Sequence, residues 1–260
     1  KVKTDADSLE TFGKDWTKIY PPNPSAIVFP KTTEQVQAIV KLANEHQIAL
    51  VPSGGRTGLS AGAVAANGEV VVAFDYMNSL SGFNAMDKTV RCGAGVITEQ
   101  LQNYAEEQGL FYPVDFASAG SSQIGGNIGT NAGGIKVIRY GMTRDWVAGL
   151  TVVTGKGDIL ELNKDLVKNN TGYDMRQLFI GGEGTLGFVT EATMRLTRPA
   201  KNLTVLVLGV PEFEAIMSVL NTFQTNIDLT AFEFFSDKAM RKVVARGDVP
   251  APFETEAEYY

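Results

Sequence analysis

The sequence has 260 residues, 44% of them hydrophobic and 20% charged, which is typical of a globular protein of one to two domains. One cysteine and one histidine exclude disulfides within the chain and metal or iron–sulfur sites built from several Cys and His ligands. The net charge of −6 gives no general attraction to nucleic acid, and no apolar run is long enough to span a membrane. We therefore expect a soluble, cytoplasmic protein without a nucleic-acid partner.

Glycine is the one residue type in excess. There are 27 glycines in 260 residues, which is about 10% where about 7% is usual. Fifteen of them fall within residues 54–62, 120–141 and 181–187, which we call the first, second and third glycine windows. Clustered glycines indicate places where the backbone must turn sharply or lie close to another group.

The first half of the chain predicts alternating helices and strands. An extended, proline-rich segment at 20–30 leads into a helix at 32–47, where Thr32 and Gln35 have capping-box spacing. Strand patterns follow at 48–52, 68–77 and 89–95, and a second helix is predicted at 97–108. This order indicates an α+β or mixed α/β domain rather than a strict repeat of βαβ units.

The second half begins with residues 111–140, which have almost no regular hydrophobic period and are too long for an idle connection. Two strands are predicted at 147–162 around a turn at 155–157, then a short helix at 173–179 and a strand after the third window. From 203 the order strand, helix, strand predicts the start of a second α+β unit. Lys1 and the acidic C-terminus lead us to expect a piece of a longer protein.

The glycine windows have two readings on local grounds. Gly54, Gly55 and Gly58 follow a strand, so their N–H groups could form an anion-binding nest, or the window could be a surface turn. The nearest match to a Rossmann fingerprint, Gly93-Ala94-Gly95, has Thr98 where the final glycine belongs, and there is no Walker A loop.

Basic residues near the end of the second window also leave two readings open. Arg139, Tyr140 and Arg144 suit a carboxylate or phosphate, because guanidinium groups match such oxygens. Surface ion pairs, for example with Asp145, explain the arginines equally well. His46 lies at a predicted helix end, which favours a structural role.

Three linked motifs carry a resemblance to a known family: PSGGRTGLSAG, IGGNIGTNAGGIKVIRYG and NNTGYDMRQLFIGGEGTLGFVTEA. In this order they resemble FAD-binding (PCMH-type) flavoproteins of the vanillyl-alcohol oxidase fold, and most of all the D-lactate, D-2-hydroxyglutarate and glycolate dehydrogenase branch. The likeness runs from about residue 15 to 200 and more weakly to 245. It implies an FAD-binding domain at 1–200, made of two α+β subdomains that meet near 110–120. Residues 201–260 would begin a ferredoxin-like substrate (cap) domain.

The resemblance also implies the cofactor contacts. The backbone of the first window would hold the pyrophosphate, the second window would line the isoalloxazine and the ribityl and phosphate region, and the third would close the site. The implied contacts in the first window are Pro52, Ser53, Gly54, Gly55, Arg56, Thr57, Gly58, Leu59 and Ser60. Those in the second are Pro113, Asp115, Ser122, Gly125, Gly126, Asn127, Thr130, Asn131, Gly133 and Gly134. Those in the third are Glu183, Gly184, Gly187 and Val189.

Departures from the family pattern bear on how FAD is held. Relatives with covalent FAD often have a histidine where Arg56 and Thr57 stand here, and Cys92 has the pattern of a half-buried strand residue. We therefore predict noncovalent FAD. Asp115-Phe116 replaces a common Asp-Pro, and Gln123 replaces a common threonine.

The branch oxidises D-2-hydroxy acids by hydride transfer to the flavin N5, while a base takes the hydroxyl proton. Such a base is most often histidine. In the family the histidine-containing substrate and metal motifs lie beyond the position of residue 260, so catalytic residues are unknown here. We expect no metal ligands in this chain and no activity from it alone. A non-catalytic nucleotide-binding module, or another FAD oxidoreductase of this fold, is the alternative. The electron acceptor, a homodimer and peripheral membrane attachment are left open.

Overall fold

The computed structural model describes residues 1–163 and 166–260. The chain divides into two compact units: residues 1–134 with 142–199, called unit 1, and residues 135–141 with 200–260, called unit 2.

The first sheet of unit 1 has mainly parallel strands. Its strands are β1 (Val2–Lys3), β2 (Ala26–Val28), β3 (Leu50–Ser53) and β4 (Val70–Ala73), in the order β1-β2-β4-β3. Both β2 and β3 run parallel to the central β4. Helix α1 (Ala6–Gly13) packs against β2 and β4, whereas α2 (Thr33–Glu45) packs against β4 and also against residues of the second sheet. The carboxyl ends of the three parallel strands therefore meet at one edge of the sheet.

The N-terminal cap of α2 agrees in part with the capping box predicted from the sequence. The Thr32 hydroxyl accepts a hydrogen bond from the backbone N–H of Gln35, as the spacing predicts. The Gln35 side chain accepts instead from the N–H of Lys31, one residue before the cap. The helix thus begins at the predicted place, although the reciprocal bond of a capping box is shifted by one residue.

The second sheet of unit 1 is antiparallel. Its strands are β5 (Leu80–Asn84), β6 (Thr89–Gly93), β7 (Val147–Thr154), β8 (Ile159–Leu162) and β9 (Gly187–Arg195), in the order β5-β6-β9-β7-β8. The accompanying helices are α3 (Thr98–Glu107), α4 (Ile124–Thr130), α6 (Thr143–Trp146) and α7 (Arg176–Phe179), while α5 (Val137–Tyr140) belongs to unit 2. Apolar residues of β6, β7 and β9 pack with α3 and α4 in the largest core cluster. The α+β class is confirmed.

The hydroxyl of Tyr112 leads to a stability prediction. Tyr112 is completely buried in the largest core, and its Oη has no hydrogen-bond partner in the described part of the chain. Burial raises the pKa of this phenol. We expect Tyr112→Phe to raise the free energy of unfolding by about 1 kcal/mol, because it removes an unpaired buried polar atom. Urea denaturation measures this change, with Tyr104→Phe on a half-buried ring as the control. A clear loss of stability in Tyr112→Phe would contradict the prediction.

Unit 2 departs from the sequence prediction. Its longer helices are α8 (Phe213–Asn226) and α9 (Asp237–Val244). The predicted strands at 203–210 and 229–235 are wrong as strands: among the described residues only isolated bridges at Val210 and Ser236, both to Tyr259, replace them. A strand exists only when a neighbouring strand pairs with it, however favourable its β-branched composition. Leu203 and Val205 are accordingly exposed.

Four smaller elements of unit 1 escaped prediction, namely β1, α1, β5 and α6. Residues 111–140, expected to be irregular, also contain the short helices α4 and α5. None of the helices in the described residues is both long and apolar enough to cross a membrane.

Candidate cofactor site

The first glycine window begins where β3 ends, at the carboxyl edge of the parallel strands. Ligands of open sheets with parallel strands bind beyond this edge. Ser53 is the buried last residue of β3, and Arg56 two positions into the loop has a left-handed φ of 59°. The loop that follows forms one wall of a cleft of about 410 Å³.

Sixteen of the predicted contact residues line this cleft. They are Pro52, Gly54, Gly55, Arg56, Thr57, Gly58, Leu59, Ser60, Gly125, Gly126, Asn127, Thr130, Glu183, Gly184, Gly187 and Val189. Seven predicted residues do not line it: Ser53, Pro113, Asp115, Ser122, Asn131, Gly133 and Gly134. The cleft therefore draws on all three glycine windows, within unit 1 alone.

The windows meet through direct backbone contact. A Cβ added to Gly55 in the first window would overlap the carbonyl oxygen of Ser121 in the second. The N–H of Glu183 in the third window donates to the carbonyl of Gly129 in the second, at 2.9 Å. Segments far apart in the chain thus build a single wall, and any side chain at Gly55 would push two of them apart.

Two glycines of the cleft have no structural reason to be glycine. A Cβ added to Gly58 or Gly126 would meet no atom within 4 Å, and neither residue has a left-handed φ. Gly126 lies inside α4, where glycine costs up to about 1 kcal/mol relative to alanine. Both face the cleft. Bare backbone at these positions fits a ligand that approaches closely, such as an anionic dinucleotide.

The Arg56 side chain braces the first window. Its Nη1 donates to the carbonyl of Gly54 at 2.6 Å, and its Nη2 pairs with Asp75 at 3.2 Å. The guanidinium also lies 4.5 Å from the centre of the Phe12 ring. The guanidinium is therefore held by the protein itself, and the backbone of the window is what is presented to a ligand.

Asp15 is a site residue that the sequence prediction missed. It lines the cleft with only 4% of its surface exposed. Oδ1 accepts from the N–H and hydroxyl of Thr17, and Oδ2 accepts from the N–H of Ala61 at 2.9 Å. Burial opposes ionisation, but these hydrogen bonds outweigh it and hold the pKa of Asp15 below its ordinary value. Asp15 thereby ties the far end of the first window, where Ala61 has a left-handed φ of 61°, to the segment after α1.

Thr98 joins the second window to α3. Its hydroxyl lies 2.7 Å from Oγ of Ser122 and accepts from Nδ2 of Asn127 at 2.6 Å, and all three residues are buried. The predicted contacts Ser122 and Asn127 therefore use these polar atoms to hold the loop. Thr98 stands where the final glycine of a Rossmann fingerprint would be. In the structure its hydroxyl instead positions the loop of the second window.

The glycines of that defective fingerprint serve close packing. A Cβ on Gly93 would overlap the carbonyl of Met77, and a Cβ on Gly95 would overlap that of Phe74. Gly93-Ala94-Gly95 is only a weak match to a nucleotide-binding fingerprint, and close packing explains why glycine stands at positions 93 and 95.

Predicted residues outside the cleft shape the end of the second window. Asn131 caps α4 with a left-handed φ of 49°, and its Oδ1 accepts from the N–H of Arg144 at 3.0 Å. A Cβ on Gly134 would overlap the carbonyl of Asp115, with which Gly134 forms a bridge. These residues define the loop's path around the cleft.

The two candidate arginines both have protein partners. Arg144 donates to Oε1 of Gln177 at 2.9 Å, and Arg139 pairs with the exposed Asp228 at 3.5 Å. Neither lines the cleft. Asp145, which the sequence suggested as an ion-pair partner, instead accepts from the N–H of Met142 at the start of α6.

Cys92 and His46 also lie outside the cleft lining. Cys92 is completely buried in the largest core, and burial raises the pKa of its thiol. His46 is exposed at the C-terminal end of α2. The expectation that Cys92 is half-buried is wrong, because Cys92 lies on the face of β6 that packs into the largest core, with β5 and β9 as neighbouring strands.

The described part of unit 1 is thus a domain with a glycine-walled cleft at the carboxyl edge of parallel strands, suited to an extended anionic cofactor. The sequence model of the FAD binding domain family matches residues 24–163. The chain belongs to this family, and its cofactor is FAD.

Curated relatives match along the whole chain. The sequence is 75% identical over 260 residues to D-2-hydroxyglutarate dehydrogenase of Stutzerimonas stutzeri and 55% identical to that of Xanthomonas citri pv. viticola. It is 35% identical to the mitochondrial D-2-hydroxyglutarate dehydrogenase of Bos taurus. These alignments cover all of this chain but 56%, 55% and 48% of the relatives. The chain thus spans about half the length of the curated relatives it matches.

Solved structures confirm the fold. Alkyldihydroxyacetonephosphate synthase matches with a TM-score of 0.79 at 23% identity, over 94% of this chain and 46% of that one. Physcomitrella patens BBE-like 1 matches with a TM-score of 0.65 at 24% identity, over 76% of this chain and 42% of that one. The vanillyl-alcohol oxidase type of FAD-binding fold, expected from the motifs, is therefore correct.

Proposed function

We propose that this chain is the FAD-binding portion of a flavin-dependent dehydrogenase that oxidises a D-2-hydroxy acid to the 2-oxo acid, with D-2-hydroxyglutarate as the favoured substrate. The observation that carries the proposal is the 75% identity to a D-2-hydroxyglutarate dehydrogenase along the whole chain. The cleft supports it, since its glycine-lined wall suits FAD.

Bound FAD would accept the hydride of such an oxidation. In our proposal the backbone of the first window, including Gly54 and Gly58, holds the pyrophosphate. The second window lines the flavin and the ribityl and phosphate region through residues such as Gly126 and Thr130, and the third closes the cleft at Glu183. Their work is to bind and orient the cofactor.

Noncovalent attachment is part of the proposal. Cys92 is buried in the core, and His46 lies on the surface at the end of α2. Neither residue lines the cleft in which FAD would lie. In this part of the site, therefore, neither the cysteine nor the histidine is placed to form the bond that attaches FAD in covalent flavoproteins.

The remaining parts of the catalytic site are proposed to lie beyond residue 260. Among the described residues, no group of three or more His, Cys, Asp or Glu is arranged to hold a metal ion. The relatives are about twice as long, which leaves room for a base and for metal ligands. The domain ranges 1–200 and 201–260, with a subdomain boundary near 110–120, also stay predictions.

Location and partners complete the proposal. A cytoplasmic location is supported by the two bacterial relatives, whose names carry no organelle, whereas the bovine relative is mitochondrial. A homodimer and peripheral membrane attachment stay predictions without further support, and the identity of the electron acceptor is left open.

The substrate proposal is tested on the full-length protein loaded with FAD. A panel of D-2-hydroxyglutarate, D-lactate and glycolate, with L-2-hydroxyglutarate as the stereochemical control, is assayed with an artificial electron acceptor. We expect the highest kcat/KM for D-2-hydroxyglutarate and little turnover of its enantiomer. Preference for D-lactate or glycolate would contradict D-2-hydroxyglutarate as the substrate but not the class of D-2-hydroxy-acid dehydrogenase. If none of the 2-hydroxy acids is oxidised, the class itself is overturned.

A further inference from the structure

A buried amide in the cleft has an unused hydrogen-bond acceptor. Gln123, which immediately precedes α4, lines the cleft and has 5% of its surface exposed. Its Oε1 is fully buried and has no hydrogen-bond partner in the described part of the chain. Buried polar atoms of native proteins nearly always have a partner, so an isolated one beside a ligand cleft points to a group that the ligand supplies.

Three buried polar side chains of the second window and of the start of α3 bond to one another rather than to Gln123. The side-chain N–H group of Asn127 donates to Thr98, and the hydroxyls of Thr98 and Ser122 bond to each other. In the first window, a Cβ added to Gly54 would lie 3.5 Å from Oε1 of Gln123. The free acceptor thus lies beside the first residue of the window that we assign to the pyrophosphate.

The chemistry of the cofactor limits what the partner of Oε1 can be. It must be a donor, whereas a pyrophosphate offers only acceptors. The groups joined to either side of the FAD pyrophosphate are the ribityl chain and the adenosine ribose, and both carry hydroxyls. We propose that Oε1 of Gln123 accepts a hydrogen bond from a sugar hydroxyl of bound FAD next to its pyrophosphate. This inference rests on the proposed placement of FAD in the cleft.

The test replaces Gln123 by methionine in the full-length protein, because methionine has a similar length and lacks the amide acceptor. Without FAD, the melting temperature should be unchanged or higher, since the amide oxygen has no partner in the protein alone. The Kd for FAD should rise about tenfold, because a donor of the cofactor would then be buried without an acceptor. Titration of the FAD-free protein, followed by flavin fluorescence, measures the Kd.

The matched control is Gln100→Met. Oε1 of Gln100 accepts from the N–H of Ile97 at the exposed start of α3, outside the cleft lining. This variant should lower the melting temperature slightly and leave the Kd for FAD unchanged. Competition with FMN and ADP then separates the two hydroxyl sources. If Gln123→Met weakens the affinity for FMN but not for ADP, the hydroxyl belongs to the ribityl chain. If it weakens the affinity for ADP but not for FMN, the hydroxyl belongs to the ribose.

Failure of the proposal for Gln123 and failure of the proposed FAD site would give different results. Equal FAD affinity of the wild type and Gln123→Met would overturn the role of Gln123 and leave the FAD site intact. A large fall in the melting temperature of FAD-free Gln123→Met would also overturn it, because the amide would then have a structural partner. Failure of the wild type to bind FAD would instead overturn the placement of the cofactor.

Discussion

Replacing Gly126 by aspartate is expected to abolish FAD binding while the protein without FAD stays folded. The new side chain enters open space, since a Cβ there meets no atom within 4 Å. Its carboxylate would stand in the cleft that we assign to FAD. Two like charges about 5 Å apart repel by about 3 kcal/mol at an effective dielectric of about 20, which corresponds to a loss of affinity of about a hundredfold or more. Titration with FAD measures the loss, and melting of the FAD-free protein checks the fold.

Gly155→Asp is the matched control for this variant. A Cβ on Gly155 also meets open space, and Gly155 lies in the turn between β7 and β8, outside the cleft lining. It should bind FAD like the wild type. Gly126→Ala should stabilise the FAD-free protein slightly, because alanine is the better helix former. Unchanged FAD affinity in Gly126→Asp would show that the cofactor does not lie against α4.

Asp15→Ala is expected to weaken both the fold and FAD binding. Asp15 accepts from the N–H groups of Thr17 and Ala61, and alanine would leave these donors without their partner. We expect the free energy of unfolding to fall by about 3 kcal/mol, as for buried hydrogen bonds to a charged group. The FAD affinity should fall at least tenfold, since Ala61 would no longer hold the first window. Urea denaturation and FAD titration measure the two effects, and a variant with a destabilised fold but normal FAD affinity would contradict the positioning role.

The pH dependence of stability gives a second readout for Asp15. Its pKa in the folded protein lies below the ordinary value, so the unfolded state binds protons more readily. The stabilising contribution is therefore fully present above about pH 4 and is lost as the pH falls through the folded pKa. Asp15→Asn should show a shallower loss of stability than the wild type between about pH 6 and about pH 3. Equal slopes would show that this carboxylate does not contribute.

Periodicity and turn residues predicted the elements whose stability is largely local. Helix α2 has its cap at Thr32 and an apolar stripe that includes the buried Val36 and Val40. Strands β7 and β8 flank the turn at 155–157 as expected. The strands predicted at 203–210 and 229–235 failed because pairing depends on a neighbouring strand, which local composition does not specify.

The sequence predicted which segments form the candidate site, but not what each residue does there. Sequence reasoning treats glycines of a motif alike, whereas the structure separates the closely packed Gly55 from the open Gly126. Arg56 was implied only as a cofactor contact, whereas the structure shows its guanidinium paired with Asp75 across 19 positions. Asp15 had no local signal, because its bond to Ala61 spans 46 positions. Such roles depend on tertiary contacts, which a motif does not contain.

Noncovalent binding of FAD in the glycine-walled cleft is the property on which the other proposals for this chain depend. The most direct test is the absorption spectrum of the purified full-length protein, recorded before and after acid precipitation, for the wild type and Gly126→Asp. We expect a yellow wild-type protein, all of whose flavin passes into the acid supernatant as FAD, and a colourless Gly126→Asp variant. Flavin that stays in the precipitate would contradict noncovalent attachment. A colourless wild type that takes up no added FAD would contradict the cofactor site itself.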